Sequence, residues 1–163
     1  MEKIIGRVGG GFLGYDINCS VDSSVIKGRI GGSVIGKDVD LTYGNGTING
    51  RIGGVVVGNT LEGSYSENSF NGRIGGNFIG NDISLNGKNK ITGRVGGQVI
   101  GFDVNLEGEN GKLTGRLGGS VIGADVNIDY PENFPTILAA LLAAITYFTY
   151  LESRRKSNNS GRR

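Results

Sequence analysis

Any fold open to this chain must accommodate one five-residue phrase repeated at a nearly fixed period. Gly-Arg-Ile-Gly-Gly, with Val or Leu replacing Ile in some copies, stands at Gly6–Gly10, Gly28–Gly32, Gly50–Gly54, Gly72–Gly76, Gly93–Gly97 and Gly115–Gly119. The copies start 22, 22, 22, 21 and 22 residues apart. Self-similarity at this period is the mark of a repeat architecture, in which each unit buries its apolar face against its neighbours.

Numbering each repeat from the first Gly of the phrase exposes its pattern. Position 2 is Arg in all six copies, and positions 4, 5 and 9 are Gly. Position 8 is aliphatic (Leu13, Ile35, Val57, Ile79, Ile100, Ile122), as is position 12; position 14 usually is. Position 11 reads Asp16, Asp38, Thr60, Asp82, Asp103 and Asp125. Ile26, Ile48, Phe70, Ile91 and Leu113 close the repeats that are followed by another. Positions 8, 12 and 14 share parity, as do the closing apolar residue, position 1 and position 3. Period-two alternation is the strand signature, so each repeat supplies two short strands with one face toward a core. Turn residues such as Gly44-Asn45-Gly46 and Glu109-Asn110-Gly111 separate one repeat from the next.

Two all-β architectures satisfy this pattern. In a β-solenoid of six coils, each about 22 residues, like positions stack at the ~4.8 Å strand spacing. In an antiparallel meander, each repeat is a hairpin, and Asn-Gly and Gly-Gly are good hairpin turns. The solenoid is the favoured expectation, because stacking explains why Arg, Asp and three Gly positions recur in register. The Gly-rich phrase with its central Ile resembles Gly-rich β-solenoid proteins, including polymer-forming bactofilin-like proteins, over about residues 4–129. The resemblance implies a self-assembling structural protein. The expected organisation is a six-repeat domain over 1–130, a hydrophobic C-terminal helix over 131–156, and a basic disordered tail over 157–163.

On the parity reading, the Arg ladder (Arg7, Arg29, Arg51, Arg73, Arg94, Arg116) and the Asp ladder (Asp16, Asp38, Asp82, Asp103, Asp125) lie on the outer surface, nine residues apart in each repeat. They form either a paired charge ladder of small energetic value or an array for a repetitive anionic partner. Charge elsewhere is uneven. Arg154, Arg155, Lys156, Arg162 and Arg163 stand against Glu152 in the last 12 residues, leaving 12 Lys/Arg against 14 Asp/Glu in the rest. A body of that balance is a poor nucleic-acid binder.

Little catalytic chemistry is available. The chain has no His, which removes Ser–His and Cys–His pairs and leaves no metal-ligand set. Its one Cys, Cys19, takes an aliphatic position and reads as a buried structural thiol. Gly31-Gly32-Ser33-Val34-Ile35-Gly36-Lys37 imitates a phosphate-binding loop, but Asp38 stands where a Ser or Thr should hold magnesium, so it is a by-product of the repeat. We therefore expect no cofactor, no metal and no enzymatic activity.

After Pro131 the pattern stops. Phe134–Leu151 is a run of 18 residues without a charge, rich in Ala and Leu, and Pro135 suits a first helical turn. Such a helix is just long enough to cross a bilayer, with Tyr147 and Tyr150 beside a basic end. Ala139, Ala140, Ala143 and Ala144 give it a small-residue face for helix association. The alternatives are a helix that caps the repeat array and one that mediates oligomers, and three Thr favour the cap. No apolar run of signal-peptide length opens the sequence, so none is expected.

The functional expectation is a non-enzymatic, self-assembling scaffold, a homo-oligomer held at a membrane or in an assembly by residues 134–151, and otherwise cytoplasmic. The rivals are an adhesin-like binding module using the Arg/Asp surface and a membrane-permeabilising effector.

Overall fold

The computed structural model describes residues 2–10, 13–32, 36–54, 57–75, 80–96, 101–119 and 122–160, the side chains of 156–160 excepted. Every phrase ends a strand, and every position-9 Gly begins the next. In chain order the strands are β1 (Glu2–Gly9), β2 (Gly14–Val21), β3 (Val25–Gly31), β4 (Gly36–Gly44), β5 (Thr47–Gly53) and β6 (Gly58–Ser66). They continue as β7 (Ser69–Gly75), β8 (Gly80–Asn86), β9 (Lys90–Gly96), β10 (Gly101–Glu109), β11 (Lys112–Gly118) and β12 (Gly123–Asp129), followed by helix α1 (Thr136–Ser160).

The solenoid expectation is corrected. Each strand pairs antiparallel with its sequence neighbours, and β1 closes on β12, with Ile5 opposite Asp129 and Val8 opposite Val126. The result is a closed twelve-stranded barrel, the rival hairpin meander bent into a ring. Local chemistry decides this. Asn45 and Gly46 (φ 53° and 80°) and Asn110 and Gly111 (φ 52° and 76°) adopt the left-handed pair that matches the twist of a two-residue hairpin. A solenoid needs parallel pairing between coils, and these turns reverse the chain instead.

Glycine at position 1 serves the wall by close backbone approach. A Cβ on Gly28 would lie 2.2 Å from the Asn18 carbonyl oxygen and 2.5 Å from Cys19 Cα, atoms of the adjacent strand. Sequence parity placed these glycines between aliphatic side chains; the obstacle is the neighbouring backbone. Gly in strand interiors marks such approaches and bends in barrels.

The inward parity holds elsewhere on the wall. Ile17, Ile30, Val39, Leu41, Leu61, Ile83, Leu106 and Leu117 are all buried. They face α1, which runs through the lumen, and Ile137, Leu138, Leu141, Leu142 and Ile145 are each at most 1% exposed. The wall and the helix thus form one core. Twelve strands enclose more space than side chains alone fill, and a helix about 10–12 Å across occupies the excess. An all-round apolar helix is suited to that position. The helix extends to Ser160, four residues into the stretch read from sequence as tail.

Candidate functional site: the loop rim

The odd-numbered strands all end, and the even-numbered strands all begin, at the same end of the barrel, its loop rim. The Arg of each phrase supports this end. Position 2 faces position 11 directly across each hairpin, as in Arg7↔Asp16, Arg29↔Asp38 and Arg94↔Asp103. Arg7, Arg94 and Arg116 place Nη1 2.7 Å from the partner carboxylate, Arg29 2.9 Å, and Arg73 3.5 Å. At Arg51 the Thr60 hydroxyl takes the place of the carboxylate, accepting from Nη1 at 2.8 Å. A second guanidinium nitrogen reaches into the connection: Arg7 Nε donates to the Gly10 carbonyl at 2.9 Å, Arg51 Nη2 to Gly54 at 2.8 Å, and Arg116 Nε to Gly119 at 3.3 Å. In these hairpins the Arg acts as a clip between the facing strand and the loop backbone.

The aliphatic residue at position 8 departs from its expected place. Parity assigned it to the core, yet Leu13 is 59% exposed, Val57 61% and Ile122 82%. The reason is local: position 8 precedes the strand that starts at the position-9 Gly, so the alternation does not reach it. Apart from these three, Ile5 is the only strongly exposed large hydrophobic side chain among the described residues. Ile35, Ile79 and Ile100, at the same position in the other repeats, lie outside the described residues.

The C-terminal end of α1 emerges at this rim. The Tyr147 hydroxyl lies near Gly118, the Tyr147 ring packs edge-on against Phe102 at 4.8 Å, and the Tyr150 ring packs against Tyr15 at 5.4 Å. Asn59 Nδ2 donates to Glu152 Oε1 at 3.0 Å, tying the helix to β6. A cleft of about 610 Å³ opens beside Leu13, Ile122, Tyr147, Tyr150 and Arg154. Arg154 donates to the Tyr150 hydroxyl at 2.9 Å and lies over its ring at 5.8 Å. Arg154 and Arg155 are exposed, and neither has a carboxylate within ion-pair distance among the described residues. Five of the six phrase Arg, by contrast, sit against an Asp.

The remaining candidates are placed as follows. Ala139, Ala140, Ala143 and Ala144 are fully buried in the lumen, so their small faces pack against this chain's own wall. The stretch Thr136–Arg155 is long and apolar enough to cross a membrane by length and composition, but 67% of its most apolar 18-residue window is buried inside the barrel. Cys19 is fully buried on β2, and burial pushes its thiol up to about 11, which keeps it protonated and poorly nucleophilic. Of the loop that imitates a phosphate-binding motif, Ser33, Val34 and Ile35 lie outside the described residues, and Lys37 continues into β4. Sequence reasoning missed the rim itself. The available signal was that position 8 is bracketed by Gly at positions 5 and 9, which marks a connection. Comparison with family models, with curated proteins and with solved structures gave no match to this chain.

Proposed function

We propose that this chain is a non-enzymatic binding module, a rigid barrel that meets its partner through the loop rim. The observation that carries the reading is the exposure of Leu13, Val57 and Ile122 at one end of a molecule whose other large apolar side chains, Ile5 apart, are buried or half-buried among the described residues. Leu13 and Ile122 lie on neighbouring hairpins beside a cleft lined by Tyr147 and Tyr150, which gives the rim one continuous apolar contact area. The residue inventory supports a non-catalytic role, with no His in the chain and its one thiol buried and protonated.

Other surfaces offer less. The wall Arg are engaged with Asp16, Asp38, Asp82, Asp103, Asp125 and Thr60, which speaks for a structural ladder over an anion-binding array. Self-assembly by strand addition would need a free sheet edge, and the closed ring presents none.

The test compares three proteins of matched melting temperature: wild type, the rim variant Leu13→Ser/Val57→Ser/Ile122→Ser, and the wall variant Arg29→Gln/Arg73→Gln. Each is expressed in cells, and the lysate is fractionated into bound and free material. The rim variant should move to the free fraction and the wall variant should not. The opposite ranking, or wild-type filaments on sizing, would favour the wall or the scaffold instead.

A further inference from the structure

We infer that the loop rim docks on anionic lipid bilayers as a peripheral contact, with helix α1 retained inside the barrel. The inference rests on the rim being the binding face and names its partner.

The distribution of side chains points to a bilayer. Leu13 and Ile122 lie on neighbouring hairpins, β1–β2 and β11–β12, joined through the β1–β12 pairing. Val57 lies on β5–β6, on the far side of the ring. Between them the mouth is occupied by the helix end, with Tyr147, Tyr150, Arg154 and Arg155. Protein interfaces also centre aromatic and Arg side chains, but they gather their apolar anchors into one packed patch, whereas here Val57 stands across the mouth from Leu13 and Ile122. An apolar tip on each side of a basic, aromatic centre matches a membrane interface. There, separate apolar side chains enter the acyl boundary, aromatic rings sit at headgroup depth and cations meet phosphates.

Charge complementarity selects the anionic surface. The six phrase Arg face Asp or Thr partners across their hairpins, whereas Arg154 and Arg155 have no carboxylate partner among the described residues. They project from the same rim as the tips, and Lys156, Arg162 and Arg163 follow in sequence. Neither signal suffices alone, since stable peripheral binding takes an apolar and a basic contribution together. Each tip should contribute up to about tenfold in partitioning. Each cation near an anionic surface should contribute about fivefold.

The experiment uses purified full-length protein and flotation with vesicles of phosphatidylcholine, with or without phosphatidylserine. Wild type should float with the phosphatidylserine vesicles. Leu13→Ser/Val57→Ser/Ile122→Ser should bind at least tenfold more weakly at unchanged melting temperature. Arg154→Gln/Arg155→Gln should lose only the phosphatidylserine-dependent increment, which high salt should also remove from wild type by screening. Cys19 reports the state of the helix, because its fully buried thiol becomes accessible to a maleimide only if α1 leaves the lumen. In vesicle-bound protein it should stay unlabelled; labelling would overturn the inference in favour of helix insertion. Folded wild type that ignores phosphatidylserine vesicles, or a rim variant that binds as wild type does, would also overturn it. If purified protein ignores vesicles while the rim variant still shifts the lysate fractions, the rim stands as a binding face and only the lipid assignment falls.

Discussion

Gly63 and Phe70, both in the third repeat, depart from the pattern of the other copies, and the structure shows that the departures are coupled. Position 14 is Leu, Ile or Cys in the other copies but Gly63 here, and the residue closing the repeat is Ile or Leu elsewhere but Phe70 here. Gly63 pairs with Gly72 across β6 and β7. A Cβ on either would come within 2.5 or 2.6 Å of Phe70 Cζ. The ring thus fills the space the missing side chain leaves. Gly63→Leu restores the repeat pattern yet should destabilise by about 1–3 kcal/mol through overpacking. Gly63→Leu/Phe70→Ile should recover most of that loss, and denaturant unfolding of the four-member cycle checks the coupling. Both deviations were visible in the sequence; their complementarity needed the strand register. Cys19 gives a second test. Burial holds its thiol up at about 11, above the ordinary thiol value near 9. In the folded state the proton is therefore kept where the unfolded chain would lose it. The associated stability is fully present below about pH 9 and is lost as pH rises through about 11, amounting to on the order of 2–3 kcal/mol. Tyr43 and Tyr147, whose phenols burial also pushes up, titrate at high pH as well. Subtracting the pH–stability curve of Cys19→Val isolates the thiol, and no difference between the curves would mean that the thiol is not buried.

At the scale of elements, helix α1 is defined by its surroundings. Its Ala139, Ala140, Ala143 and Ala144 are fully buried, and its two buried hydroxyls are satisfied internally: Thr146 Oγ1 donates to the Leu142 carbonyl at 2.7 Å and Thr149 Oγ1 to Ile145 at 2.8 Å. Such bonding lets Thr sit in an apolar lumen without an orphaned donor. Ala143→Leu should overpack the lumen and lower stability by about 1–3 kcal/mol, read as a drop in melting temperature. A helix lying free in a bilayer or against a second copy would leave barrel unfolding unchanged by that substitution. The bounds of the helix, Thr136–Ser160, differ from the 131–156 read from sequence, but the helix itself and its all-round apolarity were legible from composition. Its destination was not, because a membrane span, a cap and a lumen plug make the same demand on the sequence. The strands were legible through their alternation, but the architecture turned on a clue read differently. Arg and Asp stand nine residues apart in five of the six copies, and Arg51 and Thr60 in the other, because the two positions face each other across a hairpin, as Arg116↔Asp125 does. A constant spacing within a repeat measures a hairpin; stacking between repeats was the inference drawn from it.

For the whole molecule, closure and filling depend on each other. The ring has no edge to nucleate pairing with other chains, but its aliphatic inner wall needs a partner that six hairpins cannot supply. Pro131 to Phe134 make the reversal that returns the chain into the lumen, with the Phe134 amide donating to the Pro131 carbonyl at 2.9 Å. The Phe134 ring meets Tyr43 edge-on at 5.7 Å at the entrance. From there Ile137, Leu138, Leu141, Leu142 and Ile145 are fully or almost fully buried. At about 2–5 kcal/mol for each large aliphatic side chain deleted from a core, these five alone represent on the order of 10–25 kcal/mol. A domain has only about 5–15 kcal/mol of net stability to lose. Truncation after Tyr130 should therefore abolish the native barrel, leaving a chain that aggregates or binds a hydrophobic dye and shows no cooperative thermal transition. Supplying residues 131–163 as a separate peptide during refolding should restore a cooperative transition if the helix is core. A truncated chain that is soluble, monomeric and cooperatively folded would show that the wall stands without its plug. The helix would then be free to act outside the barrel.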